Sequence, residues 1–223
     1  MLPLLLGTLA TAASSNAEDA PIKLDTTSWP GYFRSGMNAQ EDRSTGKSTS
    51  YSGNVWVVTP EQQLRFTGTQ VTRFPDGSFQ QGSFTWIEDG SAGTKTLIVA
   101  DPTSKDPNEP SLICRTSAMS ADEKARTKAP FALLRNTVVG DRLLAEYEHV
   151  AGPFRRDSIF VDPFEQQPVR VMTQRPGVST RADYFSLVGG VVHADTSQFA
   201  APPGLKCTEV GDDELPALPS VWL

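Results

Sequence analysis

The 223-residue chain is 38% hydrophobic, enough for one domain to bury a full core without help from a metal. Its formal net charge of −6 sets nucleic acid aside as a partner, because that binding relies on Lys and Arg neutralising phosphates. With 17 Gly, 17 Pro and little that repeats at helical spacing, the chain reads as mostly β, or β-rich α+β.

Residues 1–17 hold an apolar run from Leu2 to Ala13 and then the small-residue triplet Ser15-Asn16-Ala17, the layout of a signal peptide. No Lys or Arg precedes the run, and a buried amino-terminal helix is the alternative reading. The run is shorter than the roughly 20 residues that cross a bilayer, and no later stretch qualifies, so no transmembrane segment is expected. Residues 18–49 read as a loosely ordered lead-in anchored by Trp29, Tyr32 and Phe33. A β domain is expected over 50–210, and 211–223 reads as a carboxyl-terminal tail.

Strands are expected over 51–59, 63–69, 70–74, 78–88 and 94–100. Pro75-Asp76-Gly77 should close a hairpin, because Pro fixes one dihedral, Asp bonds its own backbone and Gly accepts a positive φ. The proline-rich stretch 101–110 is a loop leading to the strand that carries Cys114. Ser120 followed by Glu123 fits a capping box, with a short helix expected over 121–128 and stopped at Pro130. Strands resume over 143–151, 157–162, 167–173 and 182–193, the last with a bulge expected at Gly189-Gly190.

The two cysteines, Cys114 and Cys207, are expected to pair, since an even count in an exported chain is more often a disulfide than two free thiols. Two buried reduced cysteines are the alternative. Neither has a Cys or His at ligand spacing, which argues against zinc.

No motif for catalysis stands out, and the chain is not expected to be an enzyme. Gly46-Lys47-Ser48-Thr49 resembles the end of a phosphate-binding loop, yet Glu41 stands where the first glycine belongs. The two histidines, His149 and His193, lie on expected strands, and no Gly-x-Ser-x-Gly elbow presents a nucleophile. Glu88-Asp89 beside Gly90 is the remaining pair of carboxylates, and solvated turn residues explain it better. No N-glycosylation sequon and no helix-loop-helix calcium loop occurs, so the residues themselves assign no cofactor and leave the metal unknown.

What is abundant is large apolar residues on alternating strand positions: Trp56, Phe66, Phe84, Trp86, Tyr147, Phe160, Met172, Phe185 and Leu187. An ordinary core accounts for any one of them. A curved sheet with an open mouth, lined by several, would instead hold a hydrophobic small molecule or lipid.

The stretch from Phe185 to Cys207, with Phe199, Pro202, Pro203 and Cys207 in order, resembles the end of ependymin-related proteins. Ile113 to Met119, around Cys114, is similar to that family's mid-chain cysteine. Residues 151–154, 158–162 and 167–172 resemble its strand-turn-strand run and that of bacterial lipoprotein carriers with a related fold. The resemblance implies a disulfide between these two cysteines and two stacked, curved antiparallel sheets around a hydrophobic pocket. It further implies non-catalytic lipid or fatty-acyl binding, calcium binding and homodimers. The leader-like segment over 1–17 gives a secreted or lumenal place, whether extracellular, lysosomal or vacuolar. An extracellular structural or adhesive protein with a filled core is the alternative function.

Overall fold

The computed structural model describes residues 22–26, 29–59, 62–101, 103–104, 111–121, 123, 130–190 and 196–218. The expected signal peptide over 1–17 lies outside them, as does His193. The first strand, β1 (Tyr32–Arg43), runs through the stretch read as a lead-in. It is followed by β2 (Ser48–Val58), β3 (Gln63–Arg73), β4 (Phe79–Asp89), β5 (Thr94–Ala100) and β6 (Leu112–Ala118). The second half supplies β7 (Ala132–Val139), β8 (Arg142–Ala151), β9 (Arg155–Asp162), β10 (Gln167–Arg175), β11 (Val178–Gly190) and β12 (Cys207–Glu209).

These strands form one 12-stranded sheet in the order β12-β6-β5-β4-β3-β2-β1-β11-β10-β9-β8-β7. That overturns the expected α+β architecture of two stacked sheets with a short helix. The reason lies in β1, which pairs with β2 on one edge and with β11 on the other and so joins the two runs of hairpins into one sheet. Its inward residues are Phe33, Ser35, Met37, Ala39 and Glu41, an alternation that polar and small side chains conceal. The expected strands 63–69 and 70–74 are one strand, β3, and β7 and β12 went unread. Among the described residues two 3₁₀ turns form, Thr196–Phe199 and Asp212–Glu214, and Ala121 and Glu123 are α-helical. The capping box itself forms: the Ser120 N–H donates to Glu123 Oε2 at 3.0 Å and the Glu123 N–H to Ser120 Oγ at 3.2 Å. Most of the helix expected beyond it lies outside the described residues.

Turn chemistry behaves as its residues dictate. Gly77 sits at φ 84° between β3 and β4, and Asp76 accepts the Ser78 N–H at 2.9 Å. The phosphate-loop look-alike is the β1–β2 turn, with Gly46 also at φ 84°. The irregularity expected at Gly189-Gly190 falls earlier on β11, where the register against β1 shifts between Arg34 and Gly36 and Ser186 takes φ 55°.

Antiparallel partners share a face, so the register sorts the sheet into rows. One row crosses Ser35, Val55, Phe66, Trp86, Leu97 and Arg115; the next crosses Met37, Gly53, Gly68, Phe84, Val99 and Ile113. Gly53 and Gly68 face each other across β2 and β3, and a Cβ on either would overlap a carbonyl oxygen of the other strand. The close approach therefore requires glycine at both places. Phe84 fills the adjoining space, edge-on to Tyr51 at 5.2 Å and to Phe66 at 4.7 Å between ring centroids. One core cluster joins these residues to Val171, Ile159 and Tyr184 of the other half, and to Trp29, Phe131, Leu215 and Leu218 from outside the strands.

The opposite face is covered where β4, β5 and β6 present Ile87, Ile98 and Cys114 to Ala201 and Leu205. There the expected disulfide forms: Cys114 and Cys207 are direct partners in the parallel β6–β12 pair, with Cα atoms 4.4 Å apart. At the β9–β10 turn, burial raises the Asp162 carboxyl. The Arg142 guanidinium at 2.5 Å and the N–H groups of Phe164 and Glu165 outweigh that, and its pKa lies below the usual 3.8.

Two outcomes follow from this packing. Trp86, 1% exposed, should cost about 3 to 5 kcal/mol on Trp86→Ala, read by urea unfolding, because its site collapses only partly. A depressed carboxyl stabilises the fold in full above its unfolded value, near 3.8, and that contribution is lost as pH falls through the lower folded value. Asp162→Asn should therefore flatten the acid limb of the melting temperature against pH below about pH 4, while lowering the midpoint at neutral pH.

Candidate binding groove beneath the carboxyl-terminal segment

The rows described above run out at the sheet end that holds the β1–β2 and β3–β4 turns, where inward residues turn polar. Glu41, Thr49, Thr72 and Gln80 are successive partners across β1 to β4. A cavity of about 340 Å³ opens there. Its apolar floor is Leu97 and Val99 of β5 and Ile113 of β6, with Phe74 and the Tyr51 ring beside them. Burial foremost, and the Glu41 carboxylate after it, push the Tyr51 hydroxyl above its ordinary value, so it stays a neutral donor at any physiological pH.

Charge in this cavity comes from Glu41, Arg43, Lys47, Arg115 and Glu214. Glu41 is 3% exposed and paired with Arg43, whose Nε lies 2.5 Å from Oε1. Both side chains also hold the segment 213–217, which crosses the cavity: Arg43 donates to the carbonyls of Asp213 and Leu215 at 3.2 Å each, and the Ala217 N–H donates to Glu41 Oε2 at 2.7 Å. Lys47 stands 6.0 Å above the Phe74 ring, and neither it nor Arg115 has an acidic partner among the described residues.

The side chains read as ligand-lining are divided by the pleat. Phe66, Phe84 and Trp86 share the core face and are buried in the core cluster, and Tyr147 and Leu187 pack against that cluster, half-buried. Trp56, Phe160 and Met172 fall on the other face, since the register pairs them with Arg34, Arg170 and Arg181. Phe185 is 48% exposed, its ring over the bare Cα of Gly36. None of the nine lines the cavity. What lines it was legible as period-2 continuation, Leu97 with Val99 and Ile113 with Arg115, but these residues are aliphatic or charged and a search for aromatics passes over them.

The other candidates have structural roles. Glu88 and Asp89 point to opposite faces: Glu88 is buried and accepts the Trp86 indole N–H at 2.9 Å, while Asp89 caps the turn by accepting the Ala92 N–H at 2.9 Å. The buried Glu88 departs from the solvated turn residue that its neighbours suggest. His149 is half-buried opposite Asp157, its ring 5.7 Å from Phe131. Among the described residues no group of three or more His, Cys, Asp or Glu is placed to hold a metal ion, and no helix is long and apolar enough to cross a membrane.

No protein-family profile matches the chain, and no curated protein matches its sequence. Solved structures resemble it in part. MucB in complex with MucA(peri) is 13% identical over 77% of this chain and 54% of that one, with a TM-score of 0.34. The Pseudomonas aeruginosa MucA/MucB complex is 12% identical over 76% of this chain and 56% of that one, with a TM-score of 0.33. The chain thus spans about half the length of these two neighbours. A LolA superfamily protein from Nitrosomonas europaea is 10% identical over 75% of this chain and 90% of that one, with a TM-score of 0.29. At this degree of likeness, function has to be argued from the chain's own residues, and the ependymin resemblance stays with the residues that carry it.

The buried pair gives a direct outcome. Glu41→Ala leaves Arg43 without its carboxylate and frees the Ala217 N–H, and should cost about 3 kcal/mol. In a double-mutant cycle read by urea unfolding, adding Arg43→Ala should cost clearly less than the sum of the two single losses.

Proposed function

We propose that this protein binds an amphipathic, anionic, lipid-like ligand without chemical change, its hydrocarbon part on Leu97, Val99 and Ile113 and its acidic head at Lys47 and Arg115. One observation carries the reading: an apolar floor and two cations without acidic partners share one cavity of about 340 Å³. That size lies within the range of small-ligand sites. Apolar burial supplies affinity without direction, and a guanidinium or ammonium at the mouth fixes which end of the ligand faces out. The secreted or lumenal place expected from residues 1–17 fits a carrier of such molecules, and dimerisation is a separate proposal resting on the sequence resemblance alone.

A second reading has an observation of its own. Phe66, Phe84 and Trp86 are packed solid rather than around space, which favours a structural or adhesive protein with no ligand. Native mass spectrometry on protein purified without detergent separates the two, since a carrier retains a non-covalent lipid-like mass and a filled scaffold does not. Titration with a fluorescent fatty acid should show affinity falling about three- to tenfold for Lys47→Glu and again for Arg115→Glu. Equal affinity in both variants, or no binding by the parent, would end the carrier reading.

A further inference from the structure

The segment after β12 is made like a ligand for the groove it crosses. Leu215 and Leu218, 1% and 7% exposed, sit in the core cluster beside the cavity, and Glu214, Leu215 and Pro216 form part of the cavity wall. Its polar contacts to β1 come from side chains: two carbonyls on Arg43 and one N–H on Glu41. Pro216 has no N–H to give to a strand, and Ala217 gives its own to a carboxylate. The segment thus presents apolar groups to the core and acceptor oxygens to a cation, the arrangement proposed for the ligand.

We infer that residues 214–218 are a displaceable occupant of the groove, held shut by Glu41 and Arg43, so that ligand binding and release of this segment are coupled. The inference rests on the carrier reading. Arg43 lines the same cavity as Lys47 and Arg115, and an anionic head drawn to those cations is also a stronger acceptor for its guanidinium than the peptide carbonyls of Asp213 and Leu215. A ligand that draws Arg43 away weakens the hold on the segment, and by linkage anything that loosens the segment raises ligand affinity by the same factor. The ion pair between Lys95 and Asp212 and the β6–β12 pairing lie upstream and stay in place, so only the last stretch has to move.

The test uses the full chain and dansyl-undecanoic acid as the probe. Leu218→Ser unseats the segment from the core without altering a cavity-lining residue, and it should bind the probe roughly tenfold more tightly than the parent. Hydrogen exchange on the unaltered chain supplies the second readout: the Ala217 amide should exchange faster when the probe is bound. Should Leu218→Ser fail to fold, that exchange measurement decides alone. Probe binding with Ala217 protection unchanged or increased, or a folded Leu218→Ser protein of equal or lower affinity, overturns the coupling and leaves the carrier reading standing. Binding by neither protein removes both.

Discussion

Strand β1 hydrogen-bonds on both edges, to β2 over its whole length and to β11 in a register broken once by a bulge. Take it away and the chain is two sheets, each with an additional unpaired edge whose backbone donors and acceptors have no partners. Because it lies at the junction, its inward face sets where the common core is continuous and where it ends. Phe33 and Met37 extend the apolar rows of both halves, whereas Glu41, two rows beyond Met37, opens the polar wall of a cavity. Arg43, the last residue of the strand, then carries the carboxyl-terminal segment. Core, groove and cover are thus arranged along one strand.

The legibility of the chain follows the strength of its local signals. Strands β2, β4, β5, β9 and β10 were readable because β-branched and aromatic residues alternate in them and strong turns bound them, Pro75-Asp76-Gly77 above all. β1 was missed for the opposite reason: its inward positions include Ser35, Ala39 and Glu41, and burial of a glutamate is decided by Arg43 and by an N–H far away in sequence. No window of sequence contains that partner. The two-sheet expectation rests on the family resemblance, and with β1 unread nothing in the sequence argues against it.

The candidate site was legible only in its parts. Alternation correctly gathers Phe66, Phe84 and Trp86 on one face, but whether a face is filled or hollow depends on what lies over it. Here the aromatics interlock and the open volume lies further along the same rows, over aliphatic side chains of β5 and β6. Trp56, one position out of phase with Val55 and Val57, shows how completely the pleat decides: a one-residue offset puts an indole on the far surface.

The Cys114–Cys207 bond has a consequence outside stability. It fixes the root of the carboxyl-terminal segment on β6, whose Arg115 and Ile113 face the cavity, so the segment is delivered to the groove from a short tether. A sequence tied that close to its seat acts as though present at millimolar concentration, on the order expected of short linkers. Under the proposed coupling, any visiting molecule would be weighed against a resident held beside its seat. Reduction of this one bond, by slackening the leash, would change the groove's selectivity threshold without touching a residue that lines its floor.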